Sequence, residues 1–528
     1  MDTSDDLFRR LEQLNDIGAS LSSERNLERL LEKILLAAKA ITRAEGGTLY
    51  RVGEDRQRLE FAIVRNDSLG IAFGGASGQP LSDKFHDLPL YTTAGQPNNC
   101  MVAAYAALHA CTVNIADAYD VEGFDFSGTR RFDESTGYRS RSFLTVPMKN
   151  HEGEVIAVLQ LINAMNGPGR TVGVFTAGDQ RLAESLSSQA AVALTNRQLV
   201  QQLETLFESF IKLINIAIDE KSPYTGGHCQ RVPELTMMLA EAADQATAGP
   251  LKDFHLTDQD RYELKIAALL HDCGKVTTPV HVVDKATKLQ TLFDRIHLID
   301  TRFEVLKRDA EIAMLRAIEA GADSAAQQAG FAARCQQLEE DRAFLRRANI
   351  GGERMRDEDI VRVREIARHY RWRNPAGEEV SFLSADELEN LTIRAGTLTQ
   401  SEREIINYHI VATIKMLETL PWPKHLKRVP EYAGGHHERM DGKGYPKGLK
   451  REDMSWQARM MGIADIFEAL TAGDRPYKSA MKLSQALAIM QDFRDGGHID
   501  PDLFDVFLQA KVHRQYGARF LQAGQVDC

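Results

Sequence analysis

At 528 residues the chain is too long for one hydrophobic core and predicts two domains with connectors. Its 43% hydrophobic and 26% charged content is ordinary for folded protein and argues against disorder or a membrane-embedded class. A formal net charge of −11 argues against a general DNA or RNA binder held by a basic surface, while leaving room for a small anion gathered locally by metals, Lys and Arg.

The six cysteines form no CxxC pair and no disulfide framework, so they read as reduced thiols. No apolar run approaches a membrane span, and the start Met1-Asp2-Thr3-Ser4-Asp5-Asp6 is acidic, unlike a signal peptide. The expected location is the cytoplasm, with no membrane partner.

In chain order, residues 1–25 predict an N-terminal helix. Residues 26–43 place Leu27, Leu30, Leu31, Ile34, Leu35, Ala38 and Ile41 on one helical face, with Asn26 as N-cap. Strand-like segments follow at 46–53 and 58–65, a Gly-rich stretch at 70–80, and further strands at 142–148 and 153–163. In Val155-Ile156-Ala157-Val158-Leu159-Gln160-Leu161-Ile162 both alternating faces are apolar, which suits a central strand covered on both sides. This helix-then-sheet order over roughly 26–197 resembles a GAF sensory domain, an α+β fold on an antiparallel sheet.

A long helix leaves that domain over 180–218. Leu182, Leu186, Gln189, Ala193, Asn196, Val200, Leu203, Phe207, Phe210, Ile214 and Ala217 alternate in steps of four and three, the spacing of a coiled-coil seam. The expectation is a parallel homodimer helix; the alternative is one amphipathic helix packed on its own domain. Residues 205–525 then read as an all-α domain with an insertion at 289–398. Ile296, Ile299, Phe303, Leu306, Ala310, Ala313, Ala317 and Ala320 form one face of that insertion, and Phe331, Cys335, Leu338 and Leu345 a return face. An antiparallel helical hairpin is expected, either a spacer or a docking or regulatory arm.

Two blocks carry chemistry. His271-Asp272-Cys273-Gly274-Lys275 precedes, by a long interval, His436-His437-Glu438-Arg439-Met440-Asp441-Gly442-Lys443-Gly444-Tyr445-Pro446. An HDxGK block followed by HHExxDGxGYP resembles the HD-GYP family of cyclic dinucleotide phosphodiesterases. The resemblance implies metal ligands at His228, His271, Asp272, His409, His436, His437 and Asp465. Adjacent His271 and Asp272 can both reach metal only where their helix ends at or crosses the site, and Gly274 permits a close backbone approach. Phosphodiester hydrolysis needs a nucleophile generated at neutral pH and positive charge beside the phosphoryl oxygens; two divalent ions supply both, and imidazole with carboxylate suits Fe or Mn. Some family members carry a glutamate where this chain has Tyr224. A phenol stays protonated at neutral pH, so a third metal is not expected.

By the same resemblance Asp272 bridges the metals and Lys275 assists catalysis. Gly444, Tyr445 and Pro446 shape the substrate side and offer a contact for GGDEF domains, and Arg475 with Lys478 binds substrate. Glu438 and Asp441 are expected to fix the loop rather than to ligate. In the N-terminal domain, Asn163, Phe175 and Asp179 match part of a cyclic-nucleotide-binding GAF signature, but its lysine is Ala164 and its glutamate Gln180. Cyclic-nucleotide sensing, another small ligand and a purely structural role all stay open there. The expected function is hydrolysis of cyclic di-GMP to pGpG, or onward to GMP, under GAF control. The alternatives are another cyclic dinucleotide such as 3′,3′-cGAMP, or a non-catalytic effector that binds cyclic dinucleotide or a GGDEF partner.

Overall fold

The computed structural model describes residues 3–24, 26–81, 85–166, 171–221, 227–352, 354–473 and 480–528. They form two compact units, 1–207 and 208–528. Among the described residues no helix is long and apolar enough to cross a membrane.

The first unit opens with helices α1 (Thr3–Ser23) and α2 (Leu27–Thr42). The Asn26 side chain accepts the Arg29 N–H at 3.0 Å and starts α2 as an N-cap. An antiparallel sheet follows: β1 (Ala44–Val52), β2 (Arg58–Asn66), β3 (Ile71–Gly74), β4 (Leu88–Pro89), β5 (Val113–Ile115), β6 (Phe143–Lys149), β7 (Val155–Asn166) and β8 (Thr171–Gly173). Its order is β3-β2-β1-β7-β6-β5, with β4 on β2 and β8 on β7. Helices α3 (Val102–His109) and α4 (Ser127–Thr136) lie in the β4–β6 connections.

Strand β7 is central, and its two apolar faces enter different cores. Ala157, Leu159 and Leu161 pack with Ile34 and Leu35 of α2, while Val158 packs with Tyr50 and Ala104 on the other side. Each buried Leu or Ile stabilises the layer by about 1.5–3 kcal/mol. That two-sided burial is why this strand shows no polar alternation.

Helix α5 (Ala177–Lys221) runs 45 residues without a proline, across the boundary between the units. The expected coiled-coil seam divides. Leu182, Leu186 and Ala193 are buried in the first unit's own core, so this half of the seam packs intramolecularly. Farther on, the seam residues Val200, Leu203, Phe210 and Ile214 are exposed, and so are Leu199, Leu206 and Leu213 beside them.

The second unit is mainly helical: α6 (His228–Asp244), α7 (Asp258–Leu270), a short α8 (Val280–Val283), then the insertion. The insertion comprises α9 (Ile296–Glu319), α10 (Ser324–Asn349), α11 (Asp357–His369), β9 (Arg371–Arg373), β10 (Glu379–Ser381) and α12 (Ala385–Leu391). Helices α13 (Gln400–Glu418), α14 (Val429–Gly434), α15 (Trp456–Thr471), α16 (Leu483–Asp495), α17 (Pro501–Gln509) and α18 (Val512–Phe520) complete the unit.

The insertion corrects the simple hairpin expectation. Helices α9 and α10 do pair, but α11, α12 and a β-hairpin join them around a private core of Ile299, Phe303, Leu338, Leu345, Val363, Tyr370 and Phe382. The turn Asn374-Pro375-Ala376-Gly377 closes that hairpin, with Gly377 N–H donating to the Asn374 carbonyl. Both ends of the insertion are pinned to α13. Buried Lys285 Nζ lies 2.7 Å from the Glu402 carboxylate and 2.7 Å from Asn390 Oδ1, and Glu402 is itself the capping-box residue of α13.

Candidate metal centre

Five helices, α6, α7, α13, α14 and α15, and the turns after α7 and α14 deliver the titratable groups. Helix α7 ends at Leu270, leaving His271 at its C-cap and Asp272 outside helical geometry at φ −107°, ψ 10°. The chain then tightens into a 3-10 turn over Cys273–Thr277. This break is what lets two adjacent residues face one point, and His271 Nε2 lies 3.3 Å from Asp272 Oδ2. The turn is held against α13: Gly274 N–H donates to Thr413 Oγ1 at 2.9 Å, and a Cβ on Gly274 would fall 2.0 Å from the His409 carbonyl oxygen. Glycine is required there by contact alone.

Asp272 sits between two groups of imidazoles. Its Oδ2 lies 3.1 Å from His228 Nε2, while its Oδ1 lies 3.3 Å from His409 Nε2. His228, His271 and Asp272 each offer a donor atom within 4.8 Å of one another, as do His409, His436 and His437. Asp465 joins through its Oδ1, 3.3 Å from His228 Nε2.

The ring orientations are fixed from behind. His271, His409 and His436 each direct Nδ1 at the backbone carbonyl three residues earlier, Ala268, Ile406 and Ala433, at 2.6, 2.5 and 2.6 Å. A carbonyl only accepts, so Nδ1 carries the proton and Nε2 keeps its lone pair toward the centre. His271 Nε2, His436 Nε2 and Asp272 Oδ1 are buried with no hydrogen-bond partner among the described residues. Three buried polar atoms left unpaired would each cost about 1–3 kcal/mol unless something binds them. Divalent metal ions fit this donor set of imidazole nitrogens and carboxylate oxygens.

The protonation states suit ligation. Burial pushes the His436 imidazolium well below its ordinary range, aided by His437 and His271. Burial likewise pushes His437 down to about 4. Burial opposes the Asp272 charge, but Lys275 and His271 outweigh it and hold the carboxyl well below the usual range. Asp465 follows the same pattern through His228. His228 goes the other way: Asp272, Asp465 and Glu468 overcome burial and raise it well above an ordinary histidine. Neutral His436 and His437 beside ionised Asp272 and Asp465 are ligand forms, whereas His228, raised by its three carboxylates, gives up a proton on ligation.

Lys275 lies on the turn rather than one helical step past His271, because α7 has already ended. Its Nζ is 2.5 Å from Asp272 Oδ2. On the opposite wall, Tyr445 stacks on His437 with ring centroids 4.8 Å apart. The Gly444-Tyr445-Pro446 loop packs closely, since a Cβ on Gly444 would meet the Arg439 nitrogen at 2.4 Å. Glu438 accepts the Lys447 and Leu449 N–H groups at 2.7 and 2.9 Å, and Asp441 pairs with Arg439 at 2.8 Å. Both carboxylates are thus spent on the loop. Tyr224, Arg475 and Lys478 lie outside the described residues.

The sequence reading missed Glu468 and Arg231. Glu468 is fully buried, 2.5 Å from His228 Nδ1 and 2.7 Å from Arg231 Nε. Burial raises its carboxyl, yet His228 and Arg231 bring it down to about 2. The available signal was its position three residues after Asp465, on the same helical face.

The first unit has a separate cavity of about 600 Å³, walled by Tyr50, Phe61, Phe126 and Phe143 with Arg131 at its edge. Asn163, Phe175 and Asp179 do not line it, and each has contacts of its own. Asn163 Nδ2 donates to Glu45, Tyr138 and the Arg139 carbonyl, and its Oδ1 accepts the Arg141 N–H. Phe175 is core. Asp179 accepts from Thr176 and pairs with Arg10.

Comparison with known proteins agrees with this layout. The GAF domain family matches residues 26–194, and HD domain families match residues 225–349 and 359–503. A 3′3′-cGAMP-specific phosphodiesterase of Vibrio cholerae is 38% identical over 117 residues, 22% of this chain and 24% of that one. A cyclic di-GMP phosphodiesterase of Pseudomonas aeruginosa is 36% identical over 117 residues, covering 22% and 27%. One from Thermotoga maritima is 31% identical over 121 residues, covering 23% and 32%. The chain therefore spans only about a quarter to a third of the length of these relatives. With its histidine and aspartate donors gathered at one point, the chain carries a stretch that matches the GAF domain family, followed by two stretches matching HD domain families that hold the HDxGK and HHExxDGxGYP blocks.

Proposed function

We propose that the chain hydrolyses cyclic di-GMP to linear pGpG at a centre of two divalent ions, under control of the GAF unit. One observation carries this reading: Asp272 presents one carboxylate oxygen to each of the two donor groups. His228, His271 and Asp465 would hold one ion with Asp272, and His409, His436 and His437 the other. When bound, such ions activate water at neutral pH and neutralise phosphoryl oxygens; imidazole and carboxylate donors favour iron or manganese.

The chain's own groups do the rest. Lys275, partly exposed beside Asp272, is placed to meet a phosphate oxygen as a point charge. Tyr445 and the loop that Glu438 holds define the opposite wall, against which a base can stack. Glu468 and Arg231 orient His228 without touching substrate. Product release as pGpG follows from two ions rather than three, Tyr224 standing where some relatives of this kind carry a glutamate.

A second substrate, 3′,3′-cGAMP, is favoured by the identity to the Vibrio cholerae enzymes of 38% and 36%. The test is turnover of both dinucleotides by protein loaded anaerobically with Fe(II) or Mn(II), beside a His271→Ala/Asp272→Ala control. Metal-dependent pGpG that vanishes in the control is expected; binding without turnover at full metal occupancy would make the protein an effector instead. The exposed stripe Leu199, Leu203, Leu206, Phe210 and Leu213 on α5 supports a homodimer. Light scattering is expected to give twice the 59.0 kDa chain mass, and a strict monomer would overturn that.

A further inference from the structure

The insertion holds a second polar cavity, of about 310 Å³, with no metal-centre residue in its wall. It opens where the end of α10, the start of α11 and the segment after α12 come together. Its charge is one-sided. Lys288, Arg347, Arg354, Arg356, Arg362 and Arg394 line it, and Asp359 is the one carboxylate among its described lining residues. In a chain of net charge −11 such a concentration does not follow from composition.

Part of this charge has ordinary structural work. Arg356 pairs with Asp359 at 2.9 Å and Arg394 with Asp357 at 2.5 Å. Arg362 lies over the Phe344 ring at 4.2 Å and reaches Asp341 at 3.3 Å. Three cations are left over. Arg347 and Arg354 are exposed and make no side-chain hydrogen bond or ion pair among the described residues. Lys288 is only 2% exposed, yet among the described residues its Nζ meets no carboxylate, only the Leu391 and Ile393 carbonyls and Met355 Sδ at 3.3, 2.8 and 3.1 Å.

A buried ammonium facing a cavity without a counter-charge is held at a cost. Burial lowers its proton affinity to about 8, with Asp359 only partly opposing. Three residues earlier Lys285, equally buried, has Glu402 as its partner. The structure thus gives Lys285 a carboxylate partner, and none to Lys288 among the described residues. The N-terminus of the 13-residue helix α11 also opens here, and its N-cap Arg356 makes no capping hydrogen bond. Free guanidinium groups and an uncapped helix start are complementary to phosphate oxygens.

Size narrows the ligand. The volume lies at the lower end of small-molecule sites, about 300–1,000 Å³, and suits a mononucleotide better than a cyclic dinucleotide. We propose that this cavity binds a phosphorylated small molecule of mononucleotide size through Arg347, Arg354 and Lys288. The site is separate from the metal centre, and its existence does not depend on what the centre hydrolyses.

The experiment is calorimetric titration of the full-length, metal-loaded protein with GMP and with inorganic sulfate. The comparison variants are Arg347→Ala/Arg354→Ala, Arg354→Gln and His271→Ala/Asp272→Ala. The expected result is a GMP binding event that survives in the metal-site variant and weakens about tenfold or more in the double arginine variant. The single Arg354→Gln change, on an exposed side chain, should weaken it in the same direction and serves if the double variant folds poorly. Identical isotherms for wild type and both arginine variants would overturn the proposal. So would loss of the event only in the metal-site variant, or sulfate binding as tightly as GMP, since a mere pool of positive charge would not tell the two apart.

Discussion

The Asn163 network of the first unit and the His271–Asp272 centre of the second are both clusters of polar groups gathered around buried side chains. They differ in what the polar atoms do. Asn163 donates to three acceptors and accepts one N–H, closing a circuit with Glu45, Tyr138 and Arg141. At the other cluster His271 Nε2, His436 Nε2 and Asp272 Oδ1 are buried without a hydrogen-bond partner among the described residues. A closed network holds a fold together, whereas an open one is arranged to receive something.

Four perturbations break or sharpen that contrast. The largest effect is expected from His271→Ala/Asp272→Ala, which should abolish metal retention and turnover while leaving the GAF unit's melting intact; metal content by mass spectrometry and product chromatography check this. Next is Glu468→Gln, which keeps shape but loses the charge that orients His228. Metal affinity or turnover should fall about 10–100-fold without loss of the folded state. Unchanged affinity would remove Glu468 from any role behind the ligand.

Asn163→Ala should do the reverse. It opens the closed network around buried Glu45, so thermal unfolding of the first unit should weaken by about 1–3 kcal/mol. Turnover per folded molecule should hold. Smallest is the pH effect at Lys288. Its folded value near 8 lies below the unfolded value, so between about pH 8 and 10.5 the unfolded chain binds the extra proton. Its contribution to stability therefore rises with pH across that window. Comparing wild type with Lys288→Met at pH 7.5 and 9.5, the gap between their stabilities should shift against the variant by on the order of 1 kcal/mol.

Much of this architecture was legible before any coordinates. Asn26 announced α2, and the doubly apolar Val155–Ile162 run announced a central strand, because cap chemistry and burial act locally. The adjacency of His271 and Asp272 required a helix end, and α7 ends at Leu270. Glu468 was harder to see, since a glutamate on an apolar helix carries no mark of its own; only its three-residue offset from Asp465 hinted at a shared face. Asn163, Phe175 and Asp179 posed the opposite difficulty. Residues that recur in ligand-binding domains also hold up those domains, and composition cannot separate the two uses. The seam of α5 misled in part, because a four-three spacing packs equally well on a sheet or on another helix.

The contact of Gly274 with the His409 carbonyl has a consequence for how such a protein can diversify. Two ligand-bearing segments touch backbone to backbone, so their distance is set by packing and not by the length of chain between them. Lengthening a loop already closed in this way costs only about 0.6 kcal/mol for each doubling. A self-cored module of more than a hundred residues can therefore sit between His271 and His409 at almost no expense to the geometry they share. The interval is a socket in which one module can replace another while the chemistry next to it stays the same.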